Sequence, residues 1–88
     1  MRIRDGFVLR RLPDMALVMP TGRQTARFNG ALKLNETGAF IFERLQRGHT
    51  PEETAQVLAA EYEVSAEQAE ADVQAMIAVL IGNGVAEA

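Results

Sequence analysis

Ala31-Leu32-Lys33-Leu34-Asn35-Glu36-Thr37-Gly38-Ala39-Phe40-Ile41-Phe42-Glu43-Arg44-Leu45 decides the fold, because the spacing of its apolar residues changes partway along. Upstream of Asn35 the residues alternate. Phe28, Leu32 and Leu34 fall on one face and Arg27, Ala31 and Lys33 on the other, as in a strand with one buried side. Downstream, Ile41, Phe42 and Leu45 recur at helical spacing. Asn35 stands at the change, where its side chain can accept from the first free amides of a helix. A third strand is expected over Ala31–Leu34, with Asn29-Gly30 before it as a hairpin turn or a bulge.

Working outward, Phe7–Leu12 and Met15–Met19 read as two short strands joined by a turn at Pro13-Asp14. Thr21–Thr25 is polar and reads as a loop. On the other side, Gly48 stops the first helix. Thr50-Pro51-Glu52-Glu53 is a capping box with proline at the first helical position. The helix after it turns Ala55, Leu58, Ala59 and Tyr62 inward. Ser65-Ala66-Glu67-Gln68 is a second capping box, opening a longer helix with Ala69, Val73, Met76, Ile77 and Leu80 on one face and Asn83-Gly84 at its end. Three strands followed by three helices is an α+β order. The two-residue link Glu63-Val64 gives the last two helices the look of a helix-turn-helix with a small sheet beside it as a wing.

The 88 residues suffice for one domain, with a core spanning about residues 7–85. The chain has no cysteine, so neither disulfides nor thiolate metal sites are available. No apolar run approaches the roughly 20 residues of a membrane span, and the charged start, Met1–Gly6, lacks the apolar core of a signal peptide. The expectation is a cytoplasmic protein. His49 is the only histidine and lies in a loop, Ser65 is the only serine and caps a helix, and the glycines form no phosphate loop. The acidic residues between Glu52 and Asp72 follow solvent faces. No catalytic residue, metal or cofactor is therefore expected. A small winged-helix transcription regulator is the alternative, but its reading helix would carry Glu67, Glu70 and Asp72 into a polyanion. An open sheet edge beside a helix favours an extended peptide added as a strand.

The residues Leu34-Asn35-Glu36-Thr37-Gly38, Ile41-Phe42, Leu45, Gly48, Thr50-Pro51-Glu52-Glu53, Leu58, Tyr62, Val64, Asp72-Val73, Leu80 and Gly84-Val85 together resemble the PqqD-like family. Its members are recognition elements for ribosomally made, post-translationally modified peptides. The resemblance spans roughly Phe7 to Val85. It implies a winged-helix-like fold, with a three-stranded antiparallel sheet followed by three helices, and no enzymatic activity. It also implies that the leader of a precursor peptide adds beside the third strand and is presented to a separate modifying enzyme, often a radical SAM enzyme. Carried onto this chain, the peptide-binding residues are Ala31, Leu32, Lys33 and Leu34 on the strand, with Asp72, Ala75, Met76 and Val79 on the last helix. Asn35 is then a structural cap. The tail Val85-Ala86 is less apolar than the family leads one to expect. The same open edge also offers a homodimer contact.

Overall fold

The computed structural model describes residues 1–28 and 30–88, so the expected Asn29-Gly30 turn or bulge lies in part outside the described residues. In chain order the elements are β1 (Arg2–Ile3), β2 (Phe7–Arg11), β3 (Ala16–Pro20), a 3-10 turn (Gly22–Ala26), β4 (Leu32–Leu34), α1 (Glu36–Gln46), α2 (Pro51–Tyr62), α3 (Ala66–Gly82) and β5 (Ala86–Glu87). The expected antiparallel sheet is present, in the order β2-β3-β4, and the three helices follow it.

Alternation in the strands fixes which side of the sheet meets the helices. Phe7, Ala16, Val18 and Leu34 are buried, and they join Ile41, Phe42, Leu45, Leu58, Val73, Ile77 and Leu80 in one core. Leu9, Phe28 and Leu32 pack against its margin, with the Phe28 ring edge-on to Phe7 at 5.2 Å. Val8, Arg10 and Lys33 point the other way and are exposed. The helices cover one face of the sheet and leave the other to solvent.

The helix boundaries fall at the capping residues. Asn35 accepts from the Gly38 N–H at 2.8 Å. Thr50 and Glu53 exchange bonds of 3.0 and 2.9 Å in a complete capping box. The bond from the Thr50 N–H holds the Glu53 carboxyl below its ordinary range, so this cap is at full strength at neutral pH and weakens as acid protonates the carboxylate. The box expected at Ser65 is half made. Its hydroxyl accepts from the Gln68 N–H at 3.0 Å, but the Gln68 side chain donates to Asp72 at 2.8 Å instead of reaching back.

Three further features differ from the sequence reading. The third strand begins at Leu32, leaving Ala31 outside the ladder. The polar stretch after β3 is a 3-10 turn, closed by bonds such as Gln24 N–H to the Thr21 carbonyl at 3.1 Å. The two ends of the chain also pair. Arg2 lies opposite Glu87 and Ile3 opposite Ala86, with Arg2 bonded to the Glu87 carboxylate at 3.0 Å. This ribbon brings Val85 and Ala86 into the core, where both are buried. Strands of two residues carry no periodicity, which is why the sequence does not announce them.

The link between α2 and α3 contains Glu63, the one non-glycine with positive φ among the described residues, at φ 53° and ψ 42°. Its N–H and that of Val64 both reach the Ala59 carbonyl, the arrangement that usually ends on glycine. An L-residue costs about 1–2 kcal/mol in this region, and glycine returns roughly half of that as unfolded-chain entropy. Glu63→Gly is therefore expected to stabilise the fold by about 0.5–1 kcal/mol. Urea denaturation followed by circular dichroism measures it, and a variant less stable than the parent would show the left-handed geometry to be wrong.

Candidate functional site

The hairpin sets the hydrogen-bonding phase of the whole sheet. The Leu12 N–H donates to the Met15 carbonyl at 2.8 Å, so these two form a bonded pair at the turn. Bonded and non-bonded pairs alternate in an antiparallel ladder. Arg10↔Leu17 and Val8↔Met19 are thus bonded pairs, and the bond from the Thr21 N–H to the Gly6 carbonyl, 2.7 Å, falls on the same alternation. Leu17 and Met19 spend their backbone groups on β2. Ala16 and Val18 are left to bond Leu34 and Leu32 across the register Ala16↔Leu34 and Val18↔Leu32. Lys33, between them, turns its N–H and C=O to the open edge.

That edge borders a groove. On one side stands β4, on the other α3, and the first turn of α1 forms the floor. Its wider part, about 410 Å³, is lined by Asp14, Met15, Lys33, Leu34, Asn35, Met76 and Val79. A narrower continuation of about 210 Å³ runs over Asn35, Thr37, Gly38 and Ile41, against Asp72, Ala75, Met76 and Val79. Val79 is 41% exposed, far more than a helix residue turned to the core, and makes an apolar wall open to solvent.

Of the strand residues singled out from sequence, Lys33 and Leu34 line the groove. Ala31 is exposed ahead of β4, Leu32 packs toward the core, and neither is among the described lining residues. Asp72, Ala75, Met76 and Val79 on α3 all line it. Asn35 both caps α1 and lines the groove, and Thr37 donates to the same Asn35 oxygen at 3.1 Å. Asp14, Met15, Thr37, Gly38 and Ile41 are lining residues that the sequence reading did not assign. Asp14 and Met15 arrive through the hairpin, a placement that only the β3–β4 register reveals.

Gly38 carries a packing constraint. A Cβ there would lie 2.8 Å from the Met76 methyl, 3.1 Å from Asn35 Oδ1 and 3.4 Å from Leu34 Cβ. Missing bulk at Gly38 is thus what lets the Met76 side chain lie across the floor. The first turn of α1 is also held from α2, whose Tyr62 hydroxyl donates to Glu36 at 3.1 Å while its ring stands edge-on to Phe40 at 5.5 Å. Burial pushes the Tyr62 phenol above its ordinary pKa, and the Glu36 carboxylate adds to the shift.

The chemistry of this groove is that of adhesion. It offers one backbone donor and acceptor, an apolar wall, and charges at the rim. A larger cavity of about 480 Å³ lies away from it, bordered by Arg2, Asp5, His49 and Glu52; there Nδ1 of His49 comes only to 3.9 Å of the Glu53 carboxylate. No group of three or more His, Asp or Glu stands ready to hold a metal ion among the described residues. No described helix is long and apolar enough to cross a membrane. After Arg47 the chain has neither lysine nor arginine, and α3 exposes Glu67 and Glu70 where a DNA-reading helix would need positive charge.

Comparisons with known proteins identify the family and the fold. The family model described as coenzyme PQQ synthesis protein D (PqqD) matches residues 15–86. The solved structure of lasso peptide synthetase B1 complexed with the leader peptide is 33% identical, with a TM-score of 0.78 over 99% of this chain and 96% of that one. TbiB1, in complex with the TbiA(beta) leader peptide, shares the fold at 24% identity, with a TM-score of 0.77 over 97% of this chain and 93% of that one. No curated protein matches.

Gly38→Ala tests the floor. Better helix propensity, worth about 0.5–1 kcal/mol, offsets the displacement of a flexible thioether end, so stability in urea is expected to stay within about 1 kcal/mol of the parent. The Met76 methyl resonance should shift in a carbon–proton NMR spectrum. An unmoved methyl would mean that Met76 does not lie over Gly38.

Proposed function

The chain belongs to the PqqD family, and from that premise we propose that it is a non-catalytic adaptor for the leader of a ribosomally made precursor peptide. The leader adds as a strand on β4, with alternate side chains entering the groove against α3, and is presented to a separate peptide-modifying enzyme such as a radical SAM maturase. Residues 1–88 act as a single recognition domain in the cytoplasm, without metal or cofactor. Lys33, Leu34, Asp72, Ala75, Met76 and Val79 form the contact surface, with Ala31 and Leu32 at the entry to the strand.

The observation that carries this reading is the open edge itself. Lys33 presents a backbone donor and acceptor beside an apolar wall, which is what strand addition requires. Support comes from the 33% identical lasso peptide synthetase B1, whose structure is a complex with a leader peptide. A homodimer through β4 would occupy this same edge, so self-pairing and peptide binding are mutually exclusive. Nothing in α3 favours the regulator alternative.

Two substitutions test the groove by calorimetry with the leader encoded by a neighbouring precursor gene. Lys33→Pro removes a donor that the β3–β4 ladder does not use, and proline is tolerated where its nitrogen faces outward from an edge. Relative to Lys33→Ala, which removes the same charge, it should weaken binding by about 1 kcal/mol or more. Val79→Glu places a charge on the apolar wall and should cost at least as much. If both variants are folded and bind as the parent does, the leader does not use this edge.

A further inference from the structure

We infer that Lys33 is a charge selector on the open edge: it admits a guest strand with an acidic residue opposite it, and it keeps two copies of β4 from pairing with each other. The inference rests on the strand-addition reading and adds to it the identity of the guest residue at one position.

The argument begins from the length of β4. It has three residues, of which Leu32 and Leu34 face inward and bond β3. Lys33 is the middle one and the one whose N–H and C=O face out. Any antiparallel guest must therefore form its bonded pair with Lys33. Directly opposed residues in such a pair sit about 5.5 Å apart at Cα, with their side chains on the same face. The guest residue opposite Lys33 consequently shares the outer face with the lysine ammonium, while its two neighbours turn inward toward Met76 and Val79.

One other cation, Arg10, shares the row of Lys33 on the outer face. Across the sheet, Lys33 lies opposite Leu17, and Leu17 lies opposite Arg10, so one row on the outer face reads arginine, leucine, lysine. No carboxylate comes within ion-pair distance of Lys33 or Arg10 among the described residues, although Asp14 borders the same groove. Asp72, on the opposite wall, is engaged by the Gln68 side chain. An acidic guest residue thus meets an unpartnered cation, and a basic one meets repulsion.

The same geometry governs self-association. Two copies of β4 have one register in which both outward backbone pairs are satisfied, and it is centred on Lys33. That register sets lysine against lysine. Charged residues, lysine above all, are a known way of keeping a short edge from pairing with its own kind. The edge is open to acidic guests and closed to itself.

Phage-displayed random dodecapeptides, selected separately on the full-length parent and on Lys33→Glu, test the inference. The parent should enrich sequences with Asp or Glu between two apolar residues, and Lys33→Glu should enrich Lys or Arg at that place. In fluorescence polarisation, reversing that peptide charge should weaken binding to the parent by roughly fivefold or more and restore it on Lys33→Glu, less so in high salt. Peptides that depend on Val79 but show no exchange of charge preference would overturn the selector and leave the groove standing. Failure of the parent to enrich any peptide that Lys33→Pro binds less well would remove the strand-addition reading, and this inference with it. Sedimentation supplies a measurement without ligand: the parent should be monomeric, and a dimer dispersed by Lys33→Pro would overturn the claim that Lys33 prevents self-pairing.

Discussion

The hydrogen bonds of Asn35 hold the sheet and the helices in the relation that creates the groove. Its side-chain oxygen accepts from the Gly38 N–H and from the Thr37 hydroxyl, and its carbonyl takes the Ala39 N–H at 2.9 Å. The residue before it, Leu34, is still paired to Ala16 in the ladder. One residue therefore ends an edge strand and starts a helix, with no slack between them. With the start of α1 fixed there, Gly38 comes close under the Met76 methyl of α3. Loss of an asparagine cap commonly costs about 1 kcal/mol of stability, but here it would also release the angle between the two walls.

A second constraint arises far from the groove. The Pro13-Asp14 turn makes Leu12 and Met15 a bonded pair, and strict alternation carries that phase through β3 into β4. In a strand of L-residues the bonding edge and the side-chain face are coupled, so a turn one residue longer without a compensating bulge would slip the register and turn Ala16 and Val18 to solvent, away from the core. The phase of the hairpin and the inward alternation of Leu32 and Leu34 thus act together to put one cationic residue at the centre of the edge.

The parts readable from sequence were those with local causes. Thr50-Pro51-Glu52-Glu53, Ser65 and Asn35 mark helix starts because capping is a matter of four consecutive residues, and the structure begins α2, α3 and α1 at those places. Ile41, Phe42, Leu58, Val73 and Leu80 follow helical spacing and are buried. The β1–β5 ribbon was not readable, since it joins residues 85 apart through strands too short to have a pattern. Glu63 gives no sign of its left-handed geometry, because the tight link imposes that conformation and glutamate has no preference for it. In the site, the α3 residues follow from helical spacing once the facing strand is known. Asp14 and Met15 require the register, and Gly38 requires knowing where the Met76 side chain comes to rest.

Magnitudes separate the work of the edge from that of the groove. A guest bonded to Lys33 gains two backbone hydrogen bonds, each worth about 0.5–1.5 kcal/mol net. Micromolar affinity needs about 8 kcal/mol, so the edge alone falls well short. In the proposed complex the remainder would have to come from apolar surface removed from water between β4 and α3, at about 25 cal/mol per Å², in the groove that Met76, Val79 and Gly38 line. Backbone pairing accepts any sequence and fixes register. On the proposed strand addition, inward side chains would supply affinity through shape, and the outward one opposite Lys33 would supply discrimination through charge. On that proposal a three-residue strand suffices, because it would have only to place a guest while the helix beside it held the guest.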